Sequence, residues 1–582
     1  MVCVEKPRRI LLGALLVFAA ALALYAPFAP RELLWDDYYL VEHNAFAGDC
    51  ANLGPAVNPL NLFRMLPVPM SARPVVNATL IADACAGGSI GGLHLTNSLL
   101  HAFNSVLVFL LILVLCGSGL PAFFGALVFA LHPASAETVH VITFRSHLLG
   151  FFFFTAGLAA VIFHSRKPNL LTAVMAAVCY LSAMLSVETA VVMPAAALVA
   201  VYFESGKEGM GRIRPLMAAL ALAAVFYLWF RIPRSGYAMP GVSSPGIPGF
   251  SFFYPKFLFP YAAHKTSQVS MVLPWRLIYE NPMARLYTMS RVALDYLTAF
   301  PLPLYLNSDY NPPVIISAVR GLWPLAANLA VTAAAVLLLV KRRLEGLGLA
   351  LILITLLPVL NIWPIYNIKA DRYLYLPLAG FAVVAAQIFI LITRLGRTPR
   401  FYLAGAAWLW AAALAFNSVG RIPDFRDNFS FFSAAVENGP SVPRARVNLA
   451  AMYMHSGDCP AALDQLGQAA GTDPRNFQLR LLRAYALAKC GRRAEAAQEA
   501  DAIITKRPRW ADALFLAGML RLKSDSRAAK DFLQRALKAD PDHPEARLTL
   551  MLAENRPSAG LGPADRRALK ELKKYYRGIG LL

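Results

Sequence analysis

Eleven apolar runs, mostly about 17 to 22 residues long, recur between residues 10 and 417, and that recurrence leaves few folds open. Coiled as a helix, such a run matches the roughly 30 Å hydrocarbon core of a bilayer. Inside hydrocarbon every backbone N–H and C=O must find its partner within the protein, so a bundle of helices is the expected answer. The runs fall near 10–28, 93–116, 120–141, 146–163, 170–186, 188–203, 213–231, 320–340, 347–365, 374–394 and 402–417. The composition agrees: 58% of residues are hydrophobic and 15% charged, where a soluble domain carries about a quarter charged. The expected class is an all-α polytopic membrane protein embedded in a lipid bilayer.

A formal net charge of +21 suggests a polyanionic partner at first sight. Many of the cations sit at the ends of apolar runs, as the positive-inside rule requires, so no nucleic acid is needed to explain them. Lys6, Arg8 and Arg9 place the N-terminus in the cytoplasm. Alternation then puts Arg166/Lys167, Lys207/Arg212/Arg214, Lys341/Arg342/Arg343 and Arg394/Arg397/Arg400 on the same side, with loops 30–92 and 232–319 outside. The first run has no small-x-small cleavage site before Trp35 and is kept as a helix. Residues 286–306 carry Arg291 and Asp295 on one helical face with prolines following, which favours an interfacial or re-entrant helix. An odd number of spans leaves the C-terminus outside.

After Asn417 the chain turns polar and a period appears. Prolines close at 440, 474, 508 and 541, and small or aromatic residues recur between them (Leu449, Ala450, Tyr453, Gly457, Ala462, Leu466, Ala469). The pattern resembles the tetratricopeptide repeat, a pair of antiparallel helices. This divides the chain into 1–420, the membrane domain, and 421–582, a repeat α-solenoid with units near 443–474, 477–508 and 510–541. Stacked repeats leave a groove that binds a peptide or partner protein, or serve as a spacer. The basic end, LKKYYRGIGLL, reads as a solvated tail, with contact to anionic lipid headgroups the alternative. Of seven cysteines, Cys50 and Cys85 share the first outer loop, and Cys459 and Cys490 lie in adjacent repeats; both pairs are disulfide candidates if the outside is oxidising.

Ionisable residues beside spans are expensive and are candidates for function. The assigned topology gathers a set at the outer face: Asp36 and Asp37 in LLWDDYYLVEHN, Arg73, His132 and Glu137, Arg145 and His147, Glu188, then Lys369, Asp371 and Arg372. Trp35, Tyr38 and Tyr39 fit headgroup depth, so the aspartate pair has two readings, a solvated neighbour of an aromatic anchor or a working pair. His132 with Glu137 suits a buried structural hydrogen bond. His94, Asn97 and His101 share one helical face and suit interhelical packing. Transfer of a sugar from a lipid phosphate to a hydroxyl needs a carboxylate to take the acceptor's proton and cations to hold the departing phosphate. The set supplies both.

WDD after the first span, ARPVVN, GLHLTNSLLHAFNSVLVFLL, ALVFALHPASAETVHVITFRSHLL, LSVETAVVMPAAALV, ALDYLTAFPLPLYLNSDY and LLPVLNIWPIYNIKADRYLYLPLAGFAVV, ahead of the terminal repeats, resemble in order the transmembrane and tetratricopeptide repeat-containing O-mannosyltransferases and their bacterial relatives. The resemblance covers nearly the whole chain and implies a GT-C helical bundle. It implies an inverting glycosyltransferase that uses a polyprenyl-phosphate sugar, with mannose one candidate, and needs no cofactor or divalent metal. Asp36 and Asp37 correspond to the catalytic carboxylates, Arg73, Arg145, Lys369 and Arg372 to donor-phosphate contacts, and His132, Glu137, Glu188 and Asp371 to supporting positions. Val187 stands where relatives commonly read lysine. The short repeat array implies a bacterial inner-membrane protein with catalytic loops and repeats in the periplasm. The expected acceptor is a protein hydroxyl; a lipid or polysaccharide acceptor and a non-catalytic scaffold are the alternatives.

Overall fold

The computed structural model describes residues 6–42, 44–58, 73–231, 278, 281–362, 365, 367–474, 476–557 and 561–582, the side chains of Tyr39, Phe230, Arg231, Pro563 and Ala564 excepted. The side chain of Tyr39, residues 43 and 59–72 of the expected outer loop 30–92, and residues 232–277 and 279–280 of the expected outer loop 232–319 lie outside the described residues. Every regular element among the described residues is helical. They form two compact units that divide between Ala434 and Ala435.

The first unit contains α1 (Pro7–Tyr25), α2 (Pro74–Cys85), α3 (Ile90–Cys116), α4 (Gly119–Leu131), α5 (Ala136–His140), α6 (Arg145–Arg166), α7 (Leu170–Met184), α8 (Met193–Arg231), α9 (Pro282–Ala299), α10 (Ala318–Val340), α11 (Leu344–Leu356), α12 (Pro377–Thr393) and α13 (Arg397–Arg421). Six helical stretches among the described residues have the length and apolarity to cross a bilayer, or seven if a bent pair counts as one. That pair is 119–131 with 133–140, bent by 47°. The continuous span expected over 120–141 is therefore broken at His132, where Pro133 follows and has no N–H to continue the helix. The runs 170–186, 347–365 and 374–394 form apolar helices shorter than that length. Runs 188–203 and 213–231 share one helical stretch whose break is Gly206, at φ 61°, a conformation glycine adopts without strain. The segment 286–306 forms α9 up to Ala299 and is not among the stretches of spanning length and apolarity.

α3 packs against α1, α4 and α6, and α12 lies against α4, α11 and α13. Glycines let α12 sit this close. A Cβ at Gly125 would stand 2.5 Å from the carbonyl oxygen of Ala382, and one at Gly380 would stand 2.6 Å from that of Gly348. Small residues at such crossings let backbones touch where lipid supplies no hydrophobic drive between helices. On the outside, Leu11, Leu15, Val336, Leu337, Leu409 and Phe416 are exposed, as side chains facing acyl chains must be.

The first unit runs past the boundary expected at 420. Asn428 binds the first outer loop: its N–H donates to Glu32 (2.6 Å), its Nδ2 to the Leu33 carbonyl (2.8 Å), and its Oδ1 accepts from the Trp35 N–H (2.9 Å). Phe431 packs on the Trp35 ring at 5.7 Å. The polar turn in composition near 418 marks the end of the lipid-facing helix, whereas the fold closes one loop later.

In the second unit, helices starting at Pro443, Phe477, Ala511 and Pro544 alternate with partners starting at Cys459, Arg493 and Ser526, each packed on its neighbours in sequence. The first helices recur every 33 or 34 residues, matching the period of the prolines. The C-terminal stretch is no solvated tail: Pro563–Gly578 is a helix whose Leu569, Leu572 and Tyr576 are buried, and the Tyr576 hydroxyl meets Thr549 at 2.6 Å. Both candidate pairs are disulfides, Cys50–Cys85 and Cys459–Cys490, with Cα separations of 5.1 and 5.8 Å.

His543 in this unit lies 3.1 Å from Glu545 and 3.4 Å from Asp512. Burial alone would lower its pKa, but the hydrogen bonds and charges of Asp512 and Glu545 outweigh it and raise the pKa to about 9. A raised folded-state pKa stabilises fully below the unfolded value near 6.5 and loses that contribution as pH rises through about 9. The amount at stake is on the order of 3 kcal/mol. The unfolding midpoint of this unit is expected to fall between pH 6.5 and 9.5, and His543→Gln is expected to flatten the profile in thermal melts.

Candidate active site at one end of the bundle

α6 has 22 residues, so its ends stand roughly 33 Å apart at ~1.5 Å per residue. At its C-terminal end the basic residues expected in the cytoplasm gather: Arg166 pairs with Glu204 (2.6 Å) and reaches the Val114 carbonyl (3.3 Å), and Arg342 donates to the Phe203 carbonyl (2.8 Å). At its N-terminal end stand Arg145, Ser146 and His147, with the candidate site around them. The two sets are separated by about the thickness of a hydrocarbon core.

The WDD segment and the ADRY turn meet there. Trp35 sits at φ 47°, a left-handed conformation that strains a bulky residue by about 1–3 kcal/mol. Asn428 and the rings of Phe144 (6.1 Å) and Phe431 hold it. Its own ring lies 5.9 Å from the Arg372 guanidinium. The turn sets the two aspartates apart. Asp37 is fully buried and accepts four hydrogen bonds, from the N–H groups of Leu34 (3.2 Å), Ile142 (3.1 Å) and Thr143 (2.7 Å) and from the Thr143 hydroxyl (2.7 Å). Burial pushes its pKa up to about 6 against the lowering effect of those donors. Asp36 is half-buried, and its charge acts on Arg372.

The polar face of α3 braces the irregular backbone between α4 and α6. Asn97 donates to the carbonyls of Val139 (3.2 Å) and Val141 (3.3 Å), and Asn104 to that of Leu148 (3.0 Å). His101 bridges the Tyr375 hydroxyl (2.8 Å) and the Ala130 carbonyl (3.1 Å). The packing role expected of this face therefore has a target, carbonyls at and beside the break in the span. Arg145 belongs to the same brace. Its Nε donates to Asn97 (2.8 Å), Nη2 to the Leu93 carbonyl (2.8 Å), and Nη1 pairs with Asp83 (2.6 Å), with the side chain wholly enclosed. Expected at a lipid phosphate, it has its donors committed to the interior.

His132 is buried between the Phe300 carbonyl (3.0 Å) and the Ala134 N–H (3.2 Å). Glu137, also buried, accepts from both the backbone N–H (2.8 Å) and the guanidinium (2.7 Å) of Arg372. Phe144 and Tyr373 flank that guanidinium at 4.3 and 5.2 Å, so Arg372 is caged by aromatic faces. Asp371 pairs with Arg421 (3.1 Å) and accepts from the Tyr310 hydroxyl, and its burial raises its pKa against the pull of Arg421. Lys369 pairs with Asp295 (3.1 Å) over the Tyr310 ring (4.6 Å). Arg73 pairs with Glu188 (2.9 Å) and touches Ser146 (3.4 Å).

Exposure ranks which cations an incoming anion can reach. The Arg73 side chain keeps 22% of its surface and Lys369 14%, against 6% for Arg372 and none for Arg145. Arg73 and Lys369 are thus the more open cations of the candidate set and Arg372 and Arg145 the enclosed ones, while Asp36 is half-buried where Asp37 and Glu137 are fully buried. Asp83, Thr143, Tyr310 and Arg421 were not singled out in the sequence. Arg421 lies at the expected domain boundary, and only its pairing with Asp371 reveals it.

No family model matches the sequence, and no curated protein matches it. Among solved structures, the chain is similar to that of ArnT from Cupriavidus metallidurans bound to undecaprenyl phosphate, at 14% identity and a TM-score of 0.35, covering 86% of this chain and 79% of that one. That likeness is too remote to carry an argument from one chain to the other.

Proposed function

We propose that this protein is a membrane glycosyltransferase that moves a sugar from a polyprenyl-phosphate carrier to a hydroxyl on the non-cytoplasmic side, in an inverting step independent of metal. The observation that carries the reading is the half-buried Asp36, whose charge acts on a caged Arg372 at the end of the bundle opposite the basic cluster. In this mechanism Asp36 accepts the proton of the acceptor hydroxyl as its oxygen attacks the anomeric carbon. The carbon–oxygen bond to the carrier phosphate breaks on the far side, and Arg73, with Lys369, receives the departing phosphate. Arg73 exchanges part of its pairing with Glu188 for the phosphate oxygens. Glu137 and Arg372 hold the ADRY turn, and Asp37 holds the backbone of Ile142 and Thr143 against the first loop.

Two disulfides, one in the first outer loop and one in the repeat unit, support a non-cytoplasmic setting for both. In a bacterial cell that setting is the periplasmic face of the inner membrane. The helical repeats, read as a tetratricopeptide solenoid, present a protein acceptor, with mannose the first sugar to test. The test is transfer from polyprenyl-phosphate mannose to peptide by the reconstituted protein, with and without EDTA, followed by assignment of the product anomer. Inverted product with EDTA-resistant turnover is expected. Absence of turnover with every polyprenyl-phosphate sugar offered, together with an unchanged glycoproteome in a deletion strain, overturns the reading.

A further inference from the structure

The C-terminal helix, α14 (Pro563–Gly578), carries six cations that the catalytic reading does not use. Arg566, Arg567, Lys570, Lys574 and Arg577 are exposed and Lys573 half-buried. At about 100° per residue they fall within an arc of roughly 120°, along some 17 Å of helix. The opposite arc holds Leu569, Leu572 and Tyr576, which are buried in the unit. Glu571 is the one exposed carboxylate beside the stripe.

Two further observations bear on this face. Several arginines of the unit pair with carboxylates of a neighbouring helix, Arg480 and Arg483 with Glu499, Arg521 with Asp501, and Arg547 with Asp565, while other cations such as Arg507, Lys523 and Lys538 make no ion pair among the described residues. None of the six cations of the stripe makes an ion pair among the described residues. The helix is also fixed rather than trailing. The Tyr576 hydroxyl meets Thr549, Arg547 pairs with Asp565 in its first turn, and Arg493 donates to the Ile579 carbonyl just beyond its end. Six like charges on a rigid scaffold repel one another, and that arrangement suits a surface of opposite charge.

We infer that this stripe docks on anionic phospholipid headgroups of the bilayer that holds the first unit. Charge complementarity selects the lipid: a multispanning chain is surrounded by headgroups at high local concentration, and the contact needs no ordering of a flexible segment. The exposed face of the helix is polar and its apolar face is spent inside the unit, so the contact is electrostatic and does not insert into the acyl region. Each cation near an anionic surface contributes roughly a fivefold factor in affinity, and salt screens it. The inference rests on the membrane spans and on this helix, independently of the sugar-transfer reading.

The test is lysine acylation footprinting of the full chain in nanodiscs of phosphatidylcholine alone or with a third phosphatidylglycerol. Acylation of Lys570 and Lys574 is expected to slow at least fivefold in the anionic discs and to recover in 0.5 M NaCl. The exposed Lys523 and Lys538 keep the same rate in both. Arg566→Glu/Arg567→Glu/Arg577→Glu, all at exposed positions, is expected to abolish the protection while leaving the melting temperature unchanged. Equal rates in the two discs overturn the inference. Where those equal rates are also slow beside Lys523 and Lys538, the stripe is covered by the protein itself.

Discussion

Membranes carrying Asp36→Asn are expected to transfer sugar at least about a hundredfold more slowly than wild type while folding and inserting normally. The amide keeps the shape of the carboxylate and removes its capacity to take a proton, and loss of a positioned general base costs about 10²–10⁴ in rate. Asp37→Asn, one residue away, is expected to fail differently. Its Oδ2 accepts from both Leu34 and Ile142, and its Oδ1 takes two donors from Thr143, so an amide turns an N–H₂ toward N–H groups in either orientation. Leaving buried donors unsatisfied costs about 1–3 kcal/mol. The melting temperature should therefore drop for Asp37→Asn and stay put for Asp36→Asn. Turnover by Asp36→Asn at the wild-type rate removes it as the base.

The second large effect concerns the buried pair of Glu137 and Arg372. Arg372→Met leaves a buried carboxylate without its cation, and stripping one partner from such a pair costs about 3–5 kcal/mol. Glu137→Gln strands the caged guanidinium with similar effect. Glu137→Gln/Arg372→Met removes both charges, and the glutamine oxygen still accepts from the backbone N–H of residue 372. Its stability is expected to recover by more than half of the worse single loss, which equilibrium unfolding in detergent would measure. Additive losses in the double variant would show that the two residues do not act as a pair. Activity is expected to stay low in all three, because each loses the guanidinium–carboxylate pair that, beside the backbone bond, fixes the ADRY turn.

Much of the architecture was legible residue by residue. Apolar runs of spanning length, the basic clusters at their ends and the 33 or 34-residue period are local properties of the chain, and helices at 7–25, 90–116, 145–166, 318–340 and 397–421 follow them. The cysteine pairs were legible as neighbours in topology. The shared face of His94, Asn97 and His101 was visible from helical spacing, though its targets, the carbonyls of Ala130, Val139 and Val141, were not.

The candidate site was legible as a set of residues and not as a set of roles. Hydropathy places Asp36, Arg73, Arg145 and Arg372 at one aqueous end, but side chains of like chemistry separate only when their partners arrive from far along the chain. Thr143 claims Asp37, Asp83 and Asn97 claim Arg145, and Glu137 claims Arg372. Burial and donor geometry, both products of packing, left Asp36 half-buried and Arg73 partly exposed. The sequence by itself determined that apolar helices of spanning length recur, that basic clusters gather at their ends, and that a polar stretch of helical repeats follows. Only the tertiary structure decided which charges are enclosed and which keep exposed surface, because burial depends on the partners that packing brings together.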